Sequence, residues 1–336
     1  MVRKYIRKVI SKAEIDRYRD AGYKTFDPHL HTGFSYDTIP NKKIHPITLY
    51  RQMIDRGWDF VTFTDHDTFL AHDTFDESIK KQGKLISGAE ISIKPDIIDG
   101  DTDTHTLHVN VLDISKNQYE DIKEIAKSSD YEAFLDYLKM HEIPNILNHP
   151  TWLKRGETGN WKLLPKIIAD FDVIEVFNRQ HIRELNDISF EIAANLGKGI
   201  VASSDSHCGT PRIATLAAGD DFRHMWDNIK NNRSVIVDQH LDVKAIALEF
   251  LGYVNMMRTM DKDLFPGKRP FVKSKFADYA LHAHQFSDLL LNTEKLMIRW
   301  LYKERNSGIR MIEQLLARII INRQQREYAN IKAVLS

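Results

Sequence analysis

The chain alternates short apolar runs with stretches of helical spacing, and polar residues gather where the apolar runs stop. Tyr23 to Phe26 leads into Asp27-Pro-His29-Leu-His31, and Phe60 to Thr64 reads as a buried strand ending at Asp65-His66-Asp67. Leu85-Ile86 leads to Glu90, and Ile91-Ser-Ile93 continues that run. Leu107 to Leu112 is a further strand, and Asn145 to Leu147 stops at Asn148-His149-Pro150. Val173 to Phe177 meets Asn178, and Ile200 to Ser203 ends at Asp205-Ser-His207. Helical spacing covers Ile10 to Arg19, Ile47 to Arg56, Tyr131 to His141 and Ile188 to Asn195, with Gly22, Gly57 and Gly197 as stops. Repeated strand-then-helix predicts parallel strands joined by crossover helices. Polar strand ends converging on one face are the active-site arrangement of a (β/α) barrel. The crossovers are short and irregular, so the expected fold is α/β, a distorted TIM-like barrel.

Beyond residue 240 the pattern changes, which predicts two units, 1–240 and a mostly helical 241–336. Val243 to Phe250 reads as one more strand, and Lys262 to Pro270, with two prolines and a glycine, as a linker. Two helical stretches follow, Phe276 to Lys303 and Ile309 to Lys332, around Asn306-Ser-Gly308. Apolar residues recur at Leu290, Met297 and Leu301 and at Ile312, Leu315 and Ile319, the buried stripe of an αα-hairpin. That stripe must be covered by the chain's own barrel or by a second copy; an isolated hairpin buries little, so a homodimer through these helices is the expectation. The metal-ligand motifs all precede this region and are expected to owe nothing to residues 270–336.

Composition changes this picture little. Lys+Arg and Asp+Glu are both 47 in 336 residues, so bulk charge gives no argument for nucleic acid or membrane. The single Cys208 excludes an intrachain disulfide framework and fits a reducing compartment. The first residues lack the apolar stretch of a signal peptide, and no apolar run reaches membrane-spanning length. A cytoplasmic protein that engages no membrane is expected.

The chemistry lies in the motifs. Imidazole and carboxylate together are the ligand set for Zn, Mn or Fe. On an extended segment His29 and His31 point to one face, as do Asp205 and His207, and Glu90 could bridge two ions with its two oxygens. His105 competes with His108, because a slip of strand register would exchange them. The other histidines (His45, His72, His141, His181, His224, His240, His282, His284) lack such context and read as surface or packing residues. Cys208 reads as packed beneath a metal loop.

With these motifs in this order, the chain from about Phe26 to Val237 resembles the PHP (polymerase and histidinol phosphatase) family of metal-dependent phosphoesterases. The matching elements are Asp-x-His-x-His, Thr-Asp-His-Asp, Gly-x-Glu-Ile-Ser, a mid-chain strand histidine, His-Pro and Ser-Asp-x-His. The resemblance implies a distorted (β/α)7 barrel with up to three divalent ions. His29, His31, Glu90 and Asp205 would hold the first ion. Glu90, His108 and His149 would hold the second, and Asp37, His66 and His207 the third. The loop before Asp37 is one residue longer than the commonest version, Pro28 replaces the usual Leu, and Ser206 the usual Ala. Three ions carry about +6 against about −4 from Glu90, Asp37, Asp205 and one hydroxide, which suits a phosphate dianion. The implied reaction is hydrolysis of a phosphomonoester, of a nucleotide or sugar phosphate or of a short nucleic acid, by a metal-bridging hydroxide. Asp65 is a candidate acid or an orienter of a ligand histidine, and Arg155 and Arg212 are candidate phosphate clamps. The alternatives are an amidohydrolase-like enzyme acting on a C–N bond and a barrel that only binds.

Overall fold

The computed structural model describes residues 8–154, 156–242 and 308–335, and a few positions between 245 and 267. Its strands are β1 (Val9–Ile10), β2 (Tyr23–Phe26), β3 (Val61–Thr62), β4 (Leu85–Ile86), β5 (Gly88–Ile93), β6 (Leu107–Leu112), β7 (Asn145–Leu147), β8 (Val173–Asn178), β9 (Gly199–Ser203), β10 (Thr215–Ala218) and β11 (Val235–Val237). Among the described residues they form three sheets, ordered β1-β11-β10-β2, β3-β4 and β5-β6-β7-β8-β9. Hydrogen bonds also link the sheets. Thr64 N–H donates to Leu30 O (2.9 Å), a bridge pairs His66 with Glu90, and Ala202 N–H donates to Thr215 Oγ1 (2.9 Å).

The sheet is mixed, where the strand–helix alternation predicts parallel strands. β3–β4, β7–β8, β8–β9 and β1–β11 are parallel, whereas β5–β6, β6–β7 and both pairings of β10 are antiparallel. No helix separates β5 from β6, and an antiparallel pair needs none. This reversal explains the place of His108. Most ligands follow their strands, but β6 runs the other way, so its ligand lies near its start.

Within each strand the pleat sorts the chemistry. Val201 and Ser203 share a face, as do Ile146 and Asn148, Val173 and Glu175, and Leu112, Asn110 and His108. The apolar members meet in one cluster: Phe26, Ile86, Leu112, Ile146, Val173, Val201 and Ala217, from seven different strands, closed by Phe222, Met225, Trp226 and Ile229 of the helix Phe222–Lys230. The polar members end at the opposite pole, where the ligands gather.

Helix boundaries differ from expectation for local reasons. The helix expected from Ile10 starts later, because Ile10 ends β1; Ser11 forms a capping box with Glu14 (Ser11 N–H to Glu14 Oε2, 2.9 Å) around the 3-10 turn Lys12–Glu14, and the α-helix runs Ile15–Asp20. The helix Lys116–Ser128, which the sequence reading did not name, carries the same signal, Ser115-x-x-Gln118. The main core packs β5–β9 under the helices Lys116–Ser128, Tyr131–Met140, Leu164–Asp170 and Arg183–Asn195.

The region after 240 departs most. Ala245, in the run read as a strand, is helical, with its N–H on Asp242 Oδ1 (2.6 Å). Phe265, in the stretch read as a linker, is buried (3% exposed) in a core cluster with Phe34, Ile44 and Cys208. The stretch Phe276 to Lys303 lies outside the described residues. Gly308–Leu335 is one helix, and it docks on its own chain: Ile331 is fully buried in the main core, with Ile321 and Tyr328 beside it. Gln324 accepts from Ile182 N–H (2.6 Å) and donates to Gln180 O (2.8 Å). No helix among the described residues is long and apolar enough to cross a membrane.

Candidate metal centre

Nine side chains named from the motifs converge at the polar pole. Glu90, on β5 and fully buried, is the centre. Its Oε2 lies 3.2 Å from His29 Nε2, 3.4 Å from His31 Nε2 and 2.9 Å from His66 Nδ1. Its Oε1 lies 3.1 Å from His108 Nδ1 and 3.4 Å from His149 Nε2. Asp205 Oδ1 lies 3.4 Å from His29 Nε2 and 3.2 Å from His31 Nε2. Asp37 Oδ2 lies 3.2 Å from His66 Nε2 and 3.0 Å from His207 Nε2. The donor atoms fall into compact groups: His29, His31 and Asp205; His66, Glu90 and His108; His29, Glu90 and His149; and His31, Asp37, His66 and His207. The last group adds His31 to the trio expected for a third ion. Asp37 therefore sits within the donor cluster despite its longer loop. His105 does not; its ring packs on Trp161 (5.4 Å between centroids), and His108 is the histidine against Glu90.

These donors fit a cation better than they fit one another. Glu90 Oε2, Asp205 Oδ1, His66 Nδ1 and His108 Nδ1 are buried with no well-directed hydrogen bond, which is costly without a partner such as an ion. The outer bonds also aim the lone pairs inward. His29 Nδ1–H donates to Glu175 Oε1 (3.0 Å), leaving Nε2 facing His31 Nε2 at 3.1 Å. His207 Nδ1–H donates to Asp205 O (3.0 Å), leaving Nε2 toward Asp37. Without ions, protons carry the compensating charge. Burial opposes charge on His29 and on His66. The carboxylates, Asp205 and Glu90 for His29 and Glu90 for His66, nevertheless hold both well above the ordinary histidine range. Burial likewise opposes His207, but Asp37 and Asp205 lift it to about 9. Burial and the neighbouring His207 and His66 push His31 down to about 3. Burial would raise Glu90 and Asp37, but the imidazoles around each keep both well below the carboxylate range.

Two ligands sit on strained backbone. His149 and Asp205 have φ of 25° and 46°, a region non-glycine residues rarely adopt, at a cost of about 1–3 kcal/mol each. Both are clamped: His149 N–H donates to Glu175 Oε2 (2.7 Å), and Asp205 N–H to His29 O (3.0 Å).

Glu175 was missed from sequence, because an acidic residue inside an apolar strand has no motif around it. It is 1% exposed and joins His29 Nδ1, His149 N–H, Asn178 Nδ2 (2.9 Å) and the Ser203 hydroxyl. The burial of a charge on β8, against its pattern, was the available signal. Asn178 also donates to Asp205 Oδ2 (3.1 Å), and Asn148 to Glu90 Oε1 (2.9 Å). Asp27 accepts from Ser204 N–H (3.0 Å) and Arg212 N–H (3.1 Å); burial pushes its carboxyl up to about 6. Asp65 accepts from Thr32 N–H and Oγ1–H, both at 2.6 Å, and so braces the turn after His31. Arg212 is half-buried and holds Asp27 through its backbone, and Arg155 lies outside the described residues. Among the described residues none beyond 270 joins the donor groups, but the C-terminal helix reaches their outer bonds. Gln324 bonds Gln180 O, and Gln180 Nε2 donates to Asp205 O (3.4 Å).

The PHP domain family matches residues 27–203, more than half of the chain, and the chain belongs to that family. With the ligand groups above, this makes it a metal-dependent hydrolase. No curated protein matches the chain. Solved structures resembling it include a candidate metal-dependent phosphoesterase from Bifidobacterium adolescentis (19% identity, TM-score 0.39, 59% of this chain and 92% of that one). PsfC from Pseudomonas syringae PB-5123 has 12% identity and a TM-score of 0.49 over 71% of this chain and 100% of that one. An amidohydrolase from Chromobacterium violaceum, with bound sulfate and no metal, has 16% identity and a TM-score of 0.39 over 62% and 96%.

Proposed function

We propose that the chain is a phosphoesterase that hydrolyses a phosphomonoester at a cluster of three divalent ions, on a distorted (β/α)7 barrel. The observation that carries this reading is the third donor group, His31, Asp37, His66 and His207, beside the groups that share Glu90. One or two ions suffice for C–N hydrolysis, and that chemistry leaves Asp37, His66 and His207 without a task. The barrel reading is supported by the apolar cluster drawn from seven strands and by the bonds linking the three sheets.

Divalent ions held here would neutralise phosphate charge and acidify water near neutrality. The chain's own residues prepare the site. Glu175, Asn178 and Asn148 orient His29, Asp205 and Glu90, and the burial of eight of the nine donors, with Asp37 half-buried, strengthens their charge interactions. A cleft of about 260 Å³ opens beside His66, lined by Phe34, Tyr36, Tyr119 and Lys123 among others, and would receive the alcohol part of a small substrate. Tyr36 stacks on His66 (4.9 Å, 26°), so this wall is continuous with the ligands. The test is metal content together with turnover of an aryl phosphate after loading with Mn or Zn. About three ions per chain with phosphatase activity is the expected result; one or two ions with activity only on C–N substrates would reverse the reading.

A further inference from the structure

The loop from Thr32 to His45 carries Asp37 on its inner side, against His66 and His207. Its outer side is covered by residues from beyond 255, of which Phe265 lies in the stretch that the sequence reads as a linker. Asn41 Nδ2 donates to Thr259 O (2.8 Å) and Met256 O (3.2 Å), Asn41 and Met260 form a bridge, and Asp261 N–H donates to Pro40 O (2.9 Å). Phe265 then lies on the loop's backbone. A Cβ on Gly33 would stand 2.1 Å from the Phe265 ring, so only glycine permits this approach. The ring meets Phe34 edge-on (5.1 Å, 75°) and His45 (5.5 Å). Gly33 N–H donates to Ile44 O (2.9 Å), closing the loop's base under the ring.

We infer that residues 259–261 and 263–267 are a strap that presses the loop inward, and that Phe265 is a positioning residue for Asp37 and the ion it would hold. This rests on the reading of Asp37 as a ligand. The argument is one of length. The loop joins two fixed points, His31 on the cluster and the helix Pro46–Asp55, and carries its one ligand near the middle. On its ligand side the loop is tied by Thr32 to Asp65 (2.6 Å), by His66 N–H to Ser35 Oγ (3.4 Å) and by Tyr36 stacked on His66; Asp37 itself, with Ser35 Oγ on its Oδ1 (2.7 Å), meets the two imidazoles, which are drawn to it only as long as the loop stays down. The strap supplies the packing on the other side.

The test uses the full chain loaded with Mn(II), with metal content and binding isotherms as readouts. Wild type and Asp37→Ala define the Asp37-dependent ion; if they bind alike, Asp37 is no ligand and the strap idea falls with it. Given that ion, Phe265→Ala should weaken it about tenfold or more while the ions at Glu90 stay bound, as losing a ligand's supporting contact does elsewhere. Phe265→Leu, which keeps most of the volume, should recover it. Met53→Ala lies in the same core cluster but on the helix Pro46–Asp55, and controls for lost stability. Unchanged binding in Phe265→Ala, or an equal loss in Met53→Ala, would overturn the inference.

Discussion

Five imidazoles converge on Glu90, and no other side chain in the site is shared so widely. Replacing it by Gln keeps the shape and removes the charge that two ions would share. Glu90→Gln should lose at least one ion and nearly all turnover, while the Asp37 group keeps its own; normal metal content by elemental analysis would refute the bridging role. Glu175 acts one bond further out. Glu175→Gln weakens the acceptor of His29 Nδ1–H and of His149 N–H, so metal affinity should fall about 10–100-fold with the fold intact. Competition with a chelator measures that directly. Glu175 also shows the limit of reading at this scale. The histidines stood out because each sits in a polar motif after an apolar run, whereas Glu175 hides within Val173-Ile-Glu-Val.

At the scale of elements, the start of β5 rests on a histidine the motifs left aside. His72, at 3% exposure, accepts a hydrogen bond from Gly88 N–H (3.0 Å), where the strand carrying Glu90 begins. Burial holds its pKa down to about 4. In the unfolded chain it titrates near 6.5, so the unfolded state takes up a proton first as pH falls. The stability from neutral His72 is therefore complete above about pH 6.5 and lost towards pH 4, by about 3 kcal/mol at most. Metal-free wild type should lose stability over this window more steeply than His72→Gln in denaturant titrations; equal slopes would show that His72 does not contribute. Most of the elements themselves were legible, β6 and β7 to the residue, because a buried strand bounded by polar residues has a local signature. Their directions were not, because parallel and antiparallel partners leave the same apolar run.

At the scale of the whole molecule, the C-terminal helix packs on its own chain, the less favoured of the two coverings the sequence left open. Ile331→Ala should cost about 2–5 kcal/mol, lower the melting temperature and leave the metal count unchanged. A melting temperature equal to wild type would mean that the helix does not dock in solution. Pairing of two copies through these helices is still our proposal, and light scattering on the full-length chain tests it. What the sequence determined by itself is the chemistry. Residue type and a polar motif beside an apolar run are both local, so His29, His31, His66, Glu90, His149, Asp205 and His207 stood out as candidate ligands, whereas the choice of His108 over His105 needed the strand register. Asp37 needed the family's order as well. What only the tertiary structure decided is how those ligands are held: the reversal of β6, the buried Glu175, the docking of Ile331 and the covering of Gly33 by Phe265. Each of these joins residues far apart in the chain, and the free energy that selects them arises from burial and pairing between segments, which no single segment carries in its own pattern.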